Sequence, residues 1–281
     1  VYSQAAIESA LSAWQRGLAG RDALVCYAVK ANSSQAILSL LAQAGCGFDI
    51  VSGGELARAL AAGAEPGKIV FSGVGKTRRE MQAALEAGIG CFNVESEAEL
   101  LALNDVAAAC GLTAPVSIRV NPDVDARTHP YISTGLRDNK FGIAHDHALA
   151  ACQLAASLPG LRVAGIGCHI GSQITEAAPY LDALERVLDL LEAIEAAGVP
   201  LGQIDLGGGL GIAYADETPP AADALCQLLL ARLDARGHGQ RRLIVEPGRA
   251  LVGNAGLLLT CLEYLKDNEG QHFAVVDAAM N

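Results

Sequence analysis

The chain is poor in aromatic residues, in bases, and in any cysteine or histidine pattern that holds a metal. Only 4% of its 281 residues are aromatic. None of the 8 cysteines falls in a CxxC pair and none of the 6 histidines in an HExxH pair, so no metal is inferred. Cys26, Cys46, Cys91 and Cys168 lie in or beside apolar strand-like runs, and Cys110, Cys152 and Cys226 in helical stretches rich in alanine and leucine. Such thiols fit a reduced, cytoplasmic protein better than a disulfide framework. With 20 basic against 31 acidic residues the net charge is −11, which argues against nucleic-acid or anionic-membrane partners. An anionic substrate must then be held by a few local arginines. No apolar run reaches transmembrane length. The start, Val1-Tyr2-Ser3-Gln4, has neither an initiator methionine nor a signal-peptide pattern and reads as a cut end.

What is present is apolar and periodic. Hydrophobic residues make up 51% of the chain, enough for a sizeable core. Strand-like runs at 24–29, 47–51, 69–72, 91–94, 116–120, 163–168, 203–206 and 242–245 alternate with segments of helical spacing. The latter cover 35–44, 55–62, 78–87, 96–109, 148–158, 179–197 and 221–236. Several end in glycine, at Gly45, Gly63, Gly88, Gly111 and Gly198, as left-handed helix ends do. Eight βα steps of this kind predict an α/β fold, a closed (β/α)8 TIM-type barrel over residues 1–250. An open doubly wound sheet is the structural alternative. It carries its glycine-rich phosphate loop after the first strand, whereas here the glycines follow the seventh. After Arg249 the helical pattern stops. Two extended runs at 257–264 and 273–276 suggest that 251–281 leads into a C-terminal β domain that is otherwise missing.

The chemistry stands at the strand ends, which in such a barrel is the catalytic face. Lys30 closes the first strand, where burial is expected to lower its pKa and free its amine for a Schiff base with an aldehyde. Asp49, Ser52 and Glu55 follow the second strand, and Arg119 and Asn121 the fifth. His169 and Ser172 follow the sixth, Gly207, Gly208, Gly209 and Gly211 the seventh, and Glu246 and Arg249 the eighth. Each has a bland alternative. His169 could be a satisfied core histidine, the glycines a tight turn, Glu246 and Arg249 a surface ion pair, Arg119 a brace for a nearby carboxylate. Taken together, a lysine, a stacking imidazole, a glycine phosphate cradle and an acid for a pyridine nitrogen make a full pyridoxal 5'-phosphate (PLP) site.

The motifs that carry this pattern are Tyr27-Ala28-Val29-Lys30-Ala31-Asn32, Phe48-Asp49-Ile50-Val51-Ser52-Gly53-Gly54-Glu55 and Phe92-Asn93-Val94-Glu95-Ser96-Glu97. With them go Arg119-Val120-Asn121-Pro122, His129-Pro130-Tyr131-Ile132-Ser133-Thr134-Gly135, Lys140-Phe141-Gly142 and Cys168-His169-Ile170-Gly171-Ser172-Gln173. Leu206-Gly207-Gly208-Gly209-Leu210-Gly211 and Glu246-Pro247-Gly248-Arg249 complete the set. The chain resembles the fold-type III PLP-dependent decarboxylases over nearly its whole length, and within them most closely the diaminopimelate decarboxylases. The resemblance implies decarboxylation of meso-2,6-diaminopimelate to L-lysine and CO2 by a cytoplasmic homodimer. It implies Lys30 and His169 as catalytic residues, with Lys30 carrying the cofactor and His169 stacked on its ring. The implied cofactor set adds Asp49, Arg119, Ser172, Gly207, Gly208, Gly209, Glu246 and Arg249. In it Ser172 and the glycines hold the phosphate, Glu246 meets the pyridine nitrogen, and Arg249 also meets the substrate. Members of that family carry a C-terminal β domain with a cysteine motif and further substrate ligands. A chain without it is expected to be inactive alone. The alternatives are another fold-type III decarboxylase or racemase acting on a basic amino acid, or a non-catalytic single-barrel PLP-binding protein.

Overall fold

A computed structural model describes residues 1–124 and 139–279. The His129-to-Gly135 motif therefore lies outside the described residues. The strands are β1 (Ala23–Ala28), β2 (Gly47–Ile50), β3 (Ile69–Phe71), β4 (Cys91–Val94), β5 (Ala114–Asn121), β6 (Ile143–Ala144), β7 (Leu161–Gly167), β8 (Gln203–Asp205) and β9 (Arg242–Val245). Eight of them pair in parallel in the order β4-β3-β2-β1-β9-β8-β7-β5, and β5 pairs back to β4. The sheet is thus closed, as the βα alternation predicts. The two-residue β6 only extends the end of β5.

Side chains alternate across each strand, so a strand in a barrel has one face toward the helices and one toward the axis. The outward positions are large and apolar: Tyr27, Phe48, Ile50, Ile69, Phe71, Phe92, Val94, Val116 and Ile118 are all buried in the main core. The helices around the ring are α1 (Gln4–Gly17), α2 (Gln35–Gln43), α3 (Gly53–Ala61), α4 (Arg78–Ala87), α5 (Glu97–Cys110), α6 (His145–Ser157), α7 (Ala178–Ala196), α8 (Ala222–Ala235) and the short α9 (Arg249–Val252). Their starts follow local capping chemistry. Thr77 and Glu80 form a reciprocal capping box on α4, and Ser52 and Ser96 cap α3 and α5. The glycines after the helices take left-handed backbone as expected, with φ of 72° at Gly88 and 64° at Gly111.

Inward positions are apolar low in the barrel and polar near the strand ends. Cys26, Val70, Cys91 and Ile244 fill the lower axis as a separate apolar cluster. Above them on the same inward faces stand Asp49, Asn93, Asp205 and, just past β9, Glu246, all buried.

Two stretches differ from the sequence-based expectation. The amphipathic α1 buries Ile7, Leu11 and Trp14 and packs against α8, although no helix is expected there. Helical structure also continues past Arg249 for one turn, as α9. Beyond it, β10 (Leu262–Asn268) and β11 (Gln271–Val276) form a separate antiparallel hairpin. It exposes Leu262, Tyr264, Leu265 and Phe273, and the approach to it exposes Leu257, Leu258 and Leu259. Among the described residues no helix is long and apolar enough to cross a membrane, and none of the acidic, histidine or cysteine side chains cluster as a metal site.

Candidate active site

The strand ends open into two adjoining cavities of about 730 and 190 Å3 that share Lys30, His169 and Glu246 in their walls. Lys30 sits in a single 3-10 turn, Val29–Ala31, directly after β1. Its amine donates to Asp49 Oδ2 at 2.7 Å. Burial alone would depress its pKa, as the sequence suggests. The charges of Asp49 and Glu246 and the hydrogen bond to Asp49 outweigh that, and the net shift is upward. Before any aldehyde arrives, Lys30 is therefore an ammonium.

Glu55, at the start of α3, does not reach the amine. It accepts from the N–H of Val51 at 2.7 Å and closes the first turn of its own helix. Arg119 leaves β5 with a 2.8 Å ion pair to Glu95 and lies over the Phe141 ring at 5.1 Å. It braces a carboxylate and also lines the smaller cavity.

His169 follows β7 after Cys168. The N–H of Gly208 donates to its Nδ1 at 3.1 Å. That contact requires a lone pair on Nδ1, so the ring is neutral and carries its hydrogen on Nε2. Burial, with Arg119 and Lys30 nearby, holds its pKa well below the usual histidine range. A neutral imidazole can lie against a protonated pyridine without charge repulsion.

The glycine run is shaped by close packing. A Cβ on Gly208 would overlap the carbonyl oxygen of Glu246, and Gly209 combines a φ of 106° with close approach to the Gly171 carbonyl. The N–H of Gly207 donates to Asp205 Oδ1 at 2.8 Å and that of Gly208 to His169. Of the three glycines expected to hold phosphate, Gly209 is the one that lines the larger cavity. Ser172 and Arg249 stand beside it, joined by a 3.1 Å hydrogen bond from Arg249 Nη2 to Ser172 Oγ. Arg249 Nη1 also donates to Tyr214 O-η at 2.7 Å and to Gln173 Oε1 at 3.3 Å.

Glu246 is buried in the wall that both cavities share. Burial first, then the charges of Asp205 and Asp49, push its pKa well above the carboxylate range. Asp205 is pushed up to about 6, chiefly by burial. Asn93 and Asp205 have no role in the expected site, yet the structure puts both against Glu246. The signal was an acid between two apolar residues at a strand end, Ile204-Asp205-Leu206.

These residues fit PLP. An amine, a buried acid, a neutral imidazole and a serine–arginine pair line connected space. Asp49 Oδ1 and Asn93 Oδ1, both buried, have no hydrogen-bond partner among the described residues, as expected of groups that face a missing polar ligand.

Comparison with known proteins agrees with this geometry. Residues 4–253 match the family model described as pyridoxal-dependent decarboxylase, pyridoxal binding domain. The diaminopimelate decarboxylase of Vibrio cholerae serotype O1 is 55% identical over all of this chain and 67% of its own length. That of Pseudomonas aeruginosa is 57% identical with the same coverage. The chain thus spans about two thirds of these relatives, 67% of each. Among solved structures, diaminopimelate decarboxylase from Helicobacter pylori complexed with L-lysine superposes with a TM-score of 0.94 at 40% identity, covering 99% of this chain and 69% of that one. Lysine decarboxylase from Selenomonas ruminantium gives 0.87 at 27% identity, covering 98% and 69%. A lysine and an acid brought together where the first and last strands of a closed barrel pair, and a family match across that whole barrel, lead to one assignment: the chain belongs to the pyridoxal-dependent decarboxylases.

Proposed function

We propose that the chain is the cofactor-binding barrel of a diaminopimelate decarboxylase, which converts meso-2,6-diaminopimelate to L-lysine and CO2. The observation that carries this is the shared wall of the two cavities, where Lys30, His169 and Glu246 meet with Arg249 at the mouth. Relatives of 53–57% identity that bear that name support the choice of substrate.

PLP supplies an aldehyde for the amine and a ring that accepts the electron pair left when CO2 departs. The protein has four tasks around it. Lys30 would hold the aldehyde, with Asp49 beside its amine to take up the proton that the ammonium gives up. Glu246 would meet the ring nitrogen and favour its protonated form. His169 would lie against the ring and exclude water. Ser172, Gly209 and Arg249 would hold the phosphate, and Arg249 would also meet the substrate carboxylate. Asp49 and Arg119 complete the cofactor set by fixing the charge around the amine.

The same reading makes the protein a cytoplasmic homodimer, with residues 1–250 as the barrel and 251–281 as the lead-in to a further β domain. It is supported by the unpaired thiols, all 8 of them free. It is also supported by the exposed Leu257 and Leu258, which stand at the rim of the larger cavity.

The test is to incubate the full-length protein and PLP with meso-diaminopimelate, L-lysine, L-ornithine or L-arginine and measure CO2. Release from meso-diaminopimelate, with lysine as product, is expected. Borohydride reduction and peptide mapping should place the pyridoxyl group on Lys30. Preferred turnover of ornithine or arginine would replace the substrate assignment, and a label on another lysine would overturn the site.

A further inference from the structure

Asn93, on β4, presents one amide nitrogen to two buried acids. Its Nδ2 lies 3.0 Å from Asp205 Oδ2 and 3.1 Å from Glu246 Oε1. The same nitrogen reaches Ser72 Oγ at 3.1 Å, so its two hydrogens are shared among three acceptors. Two carboxylate oxygens held on one amide nitrogen repel each other when both are charged, which favours a proton on one of the two acids.

The surroundings decide which acid holds it. Asp205 is solvated as an anion by the N–H of Gly207 and by Asn93. Glu246 has Asn93 alone among these donors, and feels the charges of Asp205 and Asp49. Lys30 is the cation that acts on Glu246 and is already paired with Asp49, while Arg119 acts on Lys30 and the buried Lys76 donates to the Asn93 carbonyl and pairs with Glu99. The thiols of Cys26, Cys91 and Cys168, which face Asp205, are buried, pushed upward and neutral. In the cofactor-free barrel the proton therefore sits on Glu246. A neutral Glu246 is a poor partner for a ring nitrogen that must itself stay protonated.

We propose that Asp205 is a positioning residue that takes the proton from Glu246 when the cofactor's ring docks, so that Glu246 meets the ring nitrogen as an anion without releasing a proton to water. One O–H bond on Glu246 breaks and one on Asp205 forms, and the ring keeps its own proton. The inference rests on the placement of Glu246 at the ring nitrogen given above. It explains why a second acid is buried behind the first at a cost that a lone carboxylate would not incur.

Pyridoxine 5'-phosphate tests it, because its alcohol cannot bond covalently to Lys30. Titration calorimetry of the cofactor-free full-length protein in buffers of different ionisation enthalpy counts protons released. The free probe's own titration is subtracted. Wild type is expected to release close to none between pH 7 and 8.5, with affinity constant to within about threefold. In Asp205→Asn the amide oxygen can still accept from Gly207, but no acceptor remains for the Glu246 proton. That variant should release one proton on binding, and its affinity should rise about tenfold per pH unit below the Glu246 pKa. Release of a full proton by wild type, or the same pH slope in both proteins, would overturn the inference even if the variant folds poorly. The 3-hydroxypyridine absorption of the bound probe reports ring protonation. If it were the same in Glu246→Gln as in wild type, the placement of Glu246 would fall, and the inference with it.

Discussion

The axis of the barrel has two floors built on the same strands. The lower holds Cys26, Val70, Cys91 and Ile244, the upper Asp49, Asn93, Asp205 and Glu246. Moving two positions along β4 replaces Cys91 by Asn93, and along β9 replaces Ile244 by Glu246, with no change of face. The lower floor gains stability by burying apolar surface. The upper floor loses stability by burying charge, and its groups become useful only with a ligand whose charges complement theirs. Stability and chemistry are thus separated by about two residues of strand rise, some 6–7 Å.

Substitutions on the two floors should differ in kind. If Glu246 meets the ring nitrogen as proposed, Glu246→Gln removes that anion yet preserves shape. Turnover of the full-length protein should fall roughly 100-fold, about 2.7 kcal/mol of transition-state stabilisation, while the pyridoxyl label stays on Lys30. Near-normal steady-state turnover would make the upper floor structural and erase the contrast.

Asp205→Asn should act in the opposite direction on stability. Its folded pKa of about 6 exceeds the usual value of 3.8. The folded state therefore binds more protons than the unfolded one between those limits, and stability falls as pH rises through that window. Glu246, raised further, extends the same trend upward, whereas His169, lowered, loses stability as pH falls below the usual histidine range. Removing the Asp205 charge should stabilise the cofactor-free protein by roughly 3 kcal/mol at pH 7.5 and by little at pH 4. Chemical denaturation at the two pH values measures the difference. An equal effect at both would mean that the aspartate is not ionised in the fold.

Val70→Ala on the lower floor should cost about 1–2 kcal/mol of stability and leave turnover per folded molecule unchanged. A fall in kcat would show that the floors are mechanically coupled.

Much of this division was legible in the sequence. The strand at 91–94 and the helix at 78–87 have the bounds expected of them, because apolar runs and capping residues define both ends. Lys30, His169 and Glu246 were recognisable because each stands where a strand stops. Asp205 and Asn93 were not, because each is a polar residue next to apolar ones with no motif of its own, and only barrel closure turns both toward Glu246. The upward shift of Lys30 was hidden for the same reason, since its cause is the carboxylate of Asp49 across the β1–β2 pairing. Helix α1 is faint in the sequence although its apolar spacing is regular. The large side chains of its buried face are only Ile7, Leu11 and Trp14, in a span of polar and small residues.

The seam between β1 and β9 has one more implication. Val25 registers with Val245, and the N–H of Ala28 donates to the carbonyl of Pro247 at 3.1 Å. Lys30 and Glu246 are thus adjacent only because the first and last strands of the ring are zipped together. On the ribosome, a nascent chain that has emerged as far as β8 already holds the lysine, the imidazole and the glycines, but no acid opposite them. Tight cofactor capture is therefore a late event in the life of the polypeptide, and the yellow colour of bound PLP can serve as a clock for ring closure during refolding.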